Sequence, residues 1–296
     1  MESAVAERTF ELEAERTLER NQHHVLEMIA SGSSLKQVFE GVRDLVRSRI
    51  ENMDCSIHPG TPTVEDQRPG LVRRYICASS SEPVGWIDFG YTVFGPCKCD
   101  LEKTMAIAIR LASVGIESAN AQERLSYLAH HDSLTGLPNR LHFQESLDGA
   151  SDKANKSAEG FALLYIDLDR FKQVNDRCGH RMGDLYLQEL SNRFRSCIRK
   201  GDLLARLGGD EFAAILPGAN SGATERIVNA LHLSLSKTLF IEEFQFQPSA
   251  SVGFSLYPDS GTDAESLLRA ADEAMYVAKL AGKAAAVNRV HESVQA

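Results

Sequence analysis

The chain has 296 residues, enough for two domains at about 100–200 residues each. Apolar residues make up 43% and charged residues 25%, the balance of an ordinary globular protein, which excludes a disordered chain, a collagen-like repeat and a disulfide-dense miniprotein. Lys and Arg number 32 against 41 Asp and Glu, and the resulting net charge of −9 argues against broad affinity for nucleic acid or an anionic membrane surface.

The first residues, Met1 to Arg8, show no basic patch followed by an apolar run, so no signal peptide is expected. The longest apolar run, Met105 to Ile116, is broken by Arg110 and is too short to span a bilayer. The expected compartment is the cytoplasm, where the six cysteines read as reduced thiols. Cys97-Lys98-Cys99 misses the two-residue gap of zinc knuckles. Residues 1–21 are rich in Glu and Arg and read as a solvated leader helix or a disordered leader. From His24 to Ile50, apolar residues such as Val25, Met28, Val38, Val42 and Leu45 recur at three- and four-residue steps, which predicts two helices broken at Ser31–Ser34. A Pro/Gly-rich stretch, His58 to Gly70, precedes two strands, Leu71–Ala78 and Val84–Phe94. Ile107, Leu111, Val114, Ser118, Ala121, Leu125 and Leu128 then alternate steps of four and three, the seam of a coiled-coil stalk over residues 107–128.

Beyond His131 the pattern turns to alternating helices and strands. Asn139 is placed to cap a helix to about Leu147, and the almost wholly apolar Phe161–Leu168 predicts a strand buried on both faces. A helix at Gly183–Ile198, strands at Leu203–Leu207 and Phe212–Leu216, a helix at Ala223–Leu239 and strands within Phe244–Tyr257 follow. A last helix is expected from a Thr262/Glu265 capping box to Gly282. That order suggests an α/β sandwich of ferredoxin-like type.

Two clusters carry chemistry. Asp167 and Asp169 close the buried strand and leave it on one face, where carboxylates need a counter-charge such as a divalent cation. A calcium loop does not fit, because its sixth position is Lys172 and its twelfth Cys178. The second cluster, Arg206-Leu207-Gly208-Gly209-Asp210-Glu211-Phe212, is a tight glycine hairpin between strands that projects two acids from its tip. Together they suggest two carboxylate edges holding Mg²⁺ against phosphate, in the manner of a polymerase palm. No Walker-type loop accompanies them, since Gly282-Lys283 is followed by Ala284.

These residues resemble the diguanylate cyclases of the GGDEF family. The similarity runs through His131-Asp132-Ser133-Leu134-Thr135-Gly136-Leu137-Pro138-Asn139-Arg140, through Asp167-Leu168-Asp169 with Phe171-Lys172 and Asn175-Asp176, and through Gly179-His180 and Gly183-Asp184. It continues over Gly208–Phe212, Ser251-Val252-Gly253, Tyr257-Pro258, Ala271–Tyr276, Lys279 and Gly282-Lys283, and covers about residues 128–290. The resemblance implies a palm-type domain over residues 129–296 that condenses two GTP into cyclic di-GMP with release of two pyrophosphates. It implies Mg²⁺ (or Mn²⁺) on Asp167, the Leu168 carbonyl and Asp210, with Glu211 assisting. Asp210 would be the base for the attacking hydroxyl, and Lys172 would stabilise charge on the transferring phosphoryl group. Lys279 and Lys283 would hold phosphates, Asn175 and Asp184 would read guanine, and His180 would position the substrate. It also implies product inhibition at Arg199-Lys200-Gly201-Asp202, with Arg206 as a second cation at the same edge. Because the product joins two nucleotides, two protomers must meet, and the stalk would hold the homodimer together.

Residues 22–106 resemble a GAF domain with a shortened middle section, a regulatory module ahead of the stalk. No nucleic-acid or membrane partner is expected. A different class, a catalytically silent receptor for GTP or cyclic di-GMP, would have lost acids or lysines from the motifs; all are present. An enzyme relaxed towards ATP conflicts with Asp184, because a carboxylate accepts from guanine N1–H and its amine, a donor pair that adenine lacks.

Overall fold

A computed structural model describes residues 2–50, 53–60, 71–77, 83–91, 98–157 and 159–292. The chain divides into two compact units, Met1–Leu125 and Ser126–Ala296.

In the first unit, α1 (Glu2–Ala30) and α2 (Leu35–Arg49) precede β1 (Met53–Pro59), β2 (Leu71–Cys77), β3 (Pro83–Tyr91) and α3 (Lys98–His130), whose last residues belong to the second unit. The N-terminal stretch does not end as a leader at residue 21: α1 is one helix to Ala30, and Leu18 packs with Val25 against the core. Gly32 stops it at φ +75°, and Ser34 starts α2 with a capping box to Gln37. The strands form an antiparallel sheet in the order β1-β3-β2. One face presents Cys55, Ile76, Ile87 and Phe89 to Val38, Val42 and Leu45 of α2 and to Met105, Ala108 and Leu111 of α3. On the other face Arg73 forks onto Asp88 at 2.7 and 2.8 Å and His58 stacks on Trp86, lining a cavity of about 280 Å³. The Arg73 hydrogen bonds hold the Asp88 carboxyl below its ordinary range.

Along α3 the expected seam divides. Leu111 is buried in the unit's own core, whereas Leu125 is 68% and Leu128 53% exposed. The Cys97 thiol lies outside the described residues, as does the side chain of Cys99. Cys55 is buried, which pushes its thiol up to about 11 and leaves it an inert packing group.

The second unit opens with α4 (Arg140–Ser157), capped by Asn139, whose Oδ1 accepts from His142 N–H at 3.1 Å. Then come β4 (Phe161–Leu168), α5 (Phe171–Cys178), α6 (His180–Cys197), β5 (Leu203–Gly208), β6 (Glu211–Pro217), α7 (Ser221–Ser236), β7 (Leu239–Ile241), β8 (Phe244–Phe246), β9 (Ala250–Tyr257) and α8 (Ala264–Glu292). The four-stranded sheet is antiparallel in the order β5-β6-β4-β9, the β-α-β-β-α-β topology expected from the element order. Alternate residues of β4 explain its apolar run. Leu164, Ile166 and Leu168 pack with Leu187, Leu190 and Phe194 of α6 and Leu231 of α7. Phe161 and Leu163 pack with Phe143 and Leu147 of α4 and Leu267 of α8.

Two expectations about α8 are corrected. Its first turn is capped by Asp263, which accepts from Ser266 N–H at 2.8 Å, rather than by Thr262. The helix also passes through Gly282 to Glu292, because the following Lys283-Ala284-Ala285-Ala286 is strongly helix-forming and outweighs one glycine.

Among the described residues no helix is long and apolar enough to cross a membrane.

Candidate active site

The acidic strand end and the glycine hairpin meet at one end of the sheet. In register, Asp167 of β4 lies opposite Glu211 of β6 and opposite Ser251 of β9. Leu168 N–H donates to the Asp210 carbonyl at 3.1 Å, which fixes the hairpin tip against the end of β4. Gly208 and Gly209 turn the chain at φ +143° and +53°, conformations that a side chain would strain, and Asp210 emerges half-buried just beyond them. Asp167 is buried, and its Oδ1 accepts from Lys279 Nζ of α8 at 2.6 Å. Burial opposes the charge of that ammonium, but the hydrogen bond and charge of Asp167, with Asp169 and Asp210 beyond it, raise Lys279 above its ordinary value. Asp169 is turned aside: its Oδ1 accepts from Ser251 Oγ at 2.8 Å and its N–H donates to Ser249 O.

A framework of arginines that sequence reasoning assigned no such role holds this arrangement. Arg206 directs Nε and one terminal nitrogen at the Gly209 carbonyl, 3.1 and 2.8 Å away. Its other terminal nitrogen donates to Asp132 Oδ1 at 2.9 Å. Asp132 is itself held by the Thr135 N–H and hydroxyl, at 2.9 and 2.6 Å. Burial works against the Asp132 carboxylate, yet the bonds from Thr135 and Arg206 prevail and lower it. Arg140 donates to the Leu207 carbonyl at 3.1 Å and to Glu211 Oε2 at 3.2 Å. Burial, reinforced by the Glu211 charge, raises the Tyr165 phenol behind them.

The base-reading candidates sit on α5 and α6. Gly179, at φ +83°, separates the two helices and puts His180, exposed, at the start of α6. Asn175 Oδ1 lies 1.9 Å from where a Cβ on Gly183 would be, so a larger residue at 183 would have to displace that amide from its present position. Asp184 follows, exposed on the same turn, and Lys172 is exposed on the first turn of α5. Lys283 lies on α8, outside the residues whose side chains are described. The sites do not all assemble as expected. Arg199 donates to Asp202 through both its backbone N–H and Nε, at 3.1 and 3.0 Å, and the Asp202 side chain is only 1% exposed beneath it. Arg206 does not join this pair; its contacts are the Asp132 and Gly209 contacts of the hairpin.

The donor set suits a hard divalent cation: carboxylates of Asp167, Asp210 and Glu211 and the Leu168 carbonyl at one edge. Among the described residues no three acidic, His or Cys side chains already converge closely enough to hold an ion, and on Asp167 the Lys279 ammonium is in contact. The residues therefore fit the cation in chemistry and charge, with side-chain adjustment.

The family model for the diguanylate cyclase GGDEF domain matches residues 129–285. The chain belongs to this family. Diguanylate cyclase TpbB of Pseudomonas aeruginosa is 44% identical over 157 residues, 52% of this chain and 36% of that protein. Cyclic di-GMP phosphodiesterase PdeR of Escherichia coli is 40% identical over 167 residues, 56% of this chain and 25% of that protein. The matched region thus spans about a third or less of these curated relatives. The crystal structure of the coiled coil and GGDEF domain of DgcB from Caulobacter crescentus, in complex with c-di-GMP, superposes with a TM-score of 0.54 at 26% identity. It covers 62% of this chain and 95% of that one. The GGDEF signature of the family is Gly208-Gly209-Asp210-Glu211-Phe212 here, the hairpin that Arg206 and Arg140 brace.

Proposed function

We propose that the protein is a diguanylate cyclase that condenses two GTP into cyclic di-GMP and two pyrophosphates as a homodimer. One observation carries the reading: the acids and a lysine of the motifs gather at a single sheet end, with Asp167 opposite Glu211, Asp210 bonded to Leu168, and Lys279 on Asp167. Asp210 accepts the proton of the 3′-hydroxyl that attacks the α-phosphorus of the second GTP, and pyrophosphate departs as the bond to the β-phosphate breaks. Lys172 stabilises the charge on the transferring phosphoryl group, and Lys279 and Lys283 neutralise the phosphates. Mg²⁺ or Mn²⁺, on Asp167, the Leu168 carbonyl and Asp210 with Glu211 beside them, would neutralise the triphosphate and acidify the hydroxyl. Asn175 and Asp184 read the guanine edge, and His180 positions the nucleotide.

The exposed Leu125 and Leu128 support the stalk as the dimer seam, as does the matched DgcB structure, which includes a coiled coil. The first unit is read as a shortened GAF-like regulator, on the strength of helices packed against one face of a small antiparallel sheet. Arg199 and Asp202 are read as the product-inhibition site, which requires Arg199 to swing from Asp202 to receive a phosphate or a guanine. The phosphodiesterase in the name of PdeR is said of that protein, of which the shared region is a quarter. Incubation of the pure full-length chain with GTP and Mg²⁺, followed by chromatography, tests the reading: formation of cyclic di-GMP and pyrophosphate is expected, and unchanged GTP at every protein concentration counts against it.

A further inference from the structure

The proposed cation site already holds a positive charge, supplied by the chain. Gly253 of β9 lies against α8, since a Cβ there would meet Met275 N at 2.1 Å and the Ala271 carbonyl at 2.2 Å. That approach lays α8 directly on the sheet, and one turn beyond Met275 it brings Lys279 to the end of β4. The nearby Asp169 does not take Lys279 in its place, because its carboxylate is engaged by Ser251. The ammonium instead sits 2.6 Å from Asp167 Oδ1, with 30% of the Lys279 side chain and 13% of the Asp167 side chain exposed.

We infer that Lys279 is a built-in latch on the cation site: its ammonium occupies Asp167 until nucleotide phosphates draw it away, so that the divalent cation enters with the nucleotide and not ahead of it. The inference rests on the proposed reading of Asp167 as a cation ligand. An oxygen of Asp167 cannot accept a close ammonium and ligate a divalent ion without losing part of both interactions, so the two cations compete for one carboxylate. Phosphates offer the ammonium an alternative partner of the same charge sign as Asp167, which turns competition between cations into cooperation between cation and nucleotide. Such coupling is reciprocal, and typical couplings change affinity by about 5–150-fold.

The test measures Mn²⁺ binding to the full-length protein without nucleotide, by the electron paramagnetic resonance of free Mn²⁺. Lys279→Met keeps the length and helix propensity of the side chain and removes its charge; Lys279→Gln serves as a second variant should the first fold poorly. Both should bind Mn²⁺ at least about tenfold more tightly than the unaltered chain. Lys172→Met removes an equal charge that does not touch Asp167 and should change affinity less than about threefold, as expected for an exposed, screened charge. Adding Asp167→Asn to Lys279→Met should abolish the gain. An unchanged affinity in the Lys279 variants, including undetectable binding throughout, overturns the latch, as does an equal gain in Lys172→Met. If Lys279→Met gains affinity but keeps it when Asp167→Asn is added, the placement of the cation on Asp167 fails instead.

Discussion

Replacing Arg206 with Ala separates two roles for that residue. In the structure Arg206 is 10% exposed, forks onto the Gly209 carbonyl and bonds Asp132, and so ties the opening loop of the domain to the signature hairpin. The Gly209 carbonyl lies at an exposed tip that water can satisfy once the guanidinium is gone, so the loss falls mainly on the Asp132 pair. Asp132 retains its two bonds from Thr135. A single charge-assisted bond at a half-buried site therefore sets the cost, about 1.5–3 kcal/mol. At about 2–4 °C per kcal/mol for a unit of this size, melting should fall by roughly 3–12 °C. The catalytic effect should be larger, because a hairpin free to shift by about 1 Å misdirects Asp210 and costs about 100-fold in turnover. Initial rates at saturating GTP, with pyrophosphatase present, read kcat, and a cycle with Asp132→Ala reads the coupling. If Arg206 instead served the product site, the variant would keep its initial rate and lose inhibition by cyclic di-GMP. A kcat within threefold of the unaltered chain refutes the positioning role.

Three other perturbations probe separate parts of the molecule. Leu125→Asp puts a charge on the exposed stripe of α3 and should lower activity in dilute solution, with recovery on concentration; activity insensitive to both mutation and dilution would detach the stalk from dimerisation. Arg199→Ala exposes the otherwise covered Asp202 and should leave initial turnover intact while removing the slowing caused by added cyclic di-GMP; equal inhibition of both proteins would take Arg199 out of the product site. The lowered Asp132 carboxyl gives a pH signature of definite sign. Its contribution to stability is complete above the ordinary carboxylate value of about 3.9 and is lost as pH falls through its lower folded value. The melting difference between the unaltered chain and Asp132→Asn should thus hold steady from pH 8 to 5 and close only in stronger acid. A difference that closes near pH 6 would assign it to another group.

What could be read from the sequence was local. β4 was legible because burial on both faces leaves only apolar side chains from Phe161 to Ile166 before Asp167, and Asn139 was legible as a cap. The two carboxylate clusters were recognised as chemistry because acids at the end of an apolar strand and beyond a glycine turn are hard to explain otherwise. The short α5 escaped: it is eight residues long, and Arg170 before it is left-handed at φ +61°, a feature that no composition signals. Thr262/Glu265 and Asp263/Ser266 compete for the same helix start, and only geometry chose Asp263. The Arg206–Asp132 contact was not legible, because the two residues lie 74 positions apart. The Lys279–Asp167 contact spans 112 residues, so the family pattern named both residues without pairing them.

The central claim, that this sheet end makes cyclic di-GMP, is tested most directly by chromatography of GTP reactions run side by side with the unaltered chain and with Asp210→Asn. That substitution keeps the shape of the hairpin tip while removing its charge and basicity. The unaltered protein should produce cyclic di-GMP and pyrophosphate in a ratio of one to two, as the condensation requires, and the variant should be slower by at least about 100-fold, the low end for loss of a general base. Equal rates of product formation by the two proteins would contradict the account.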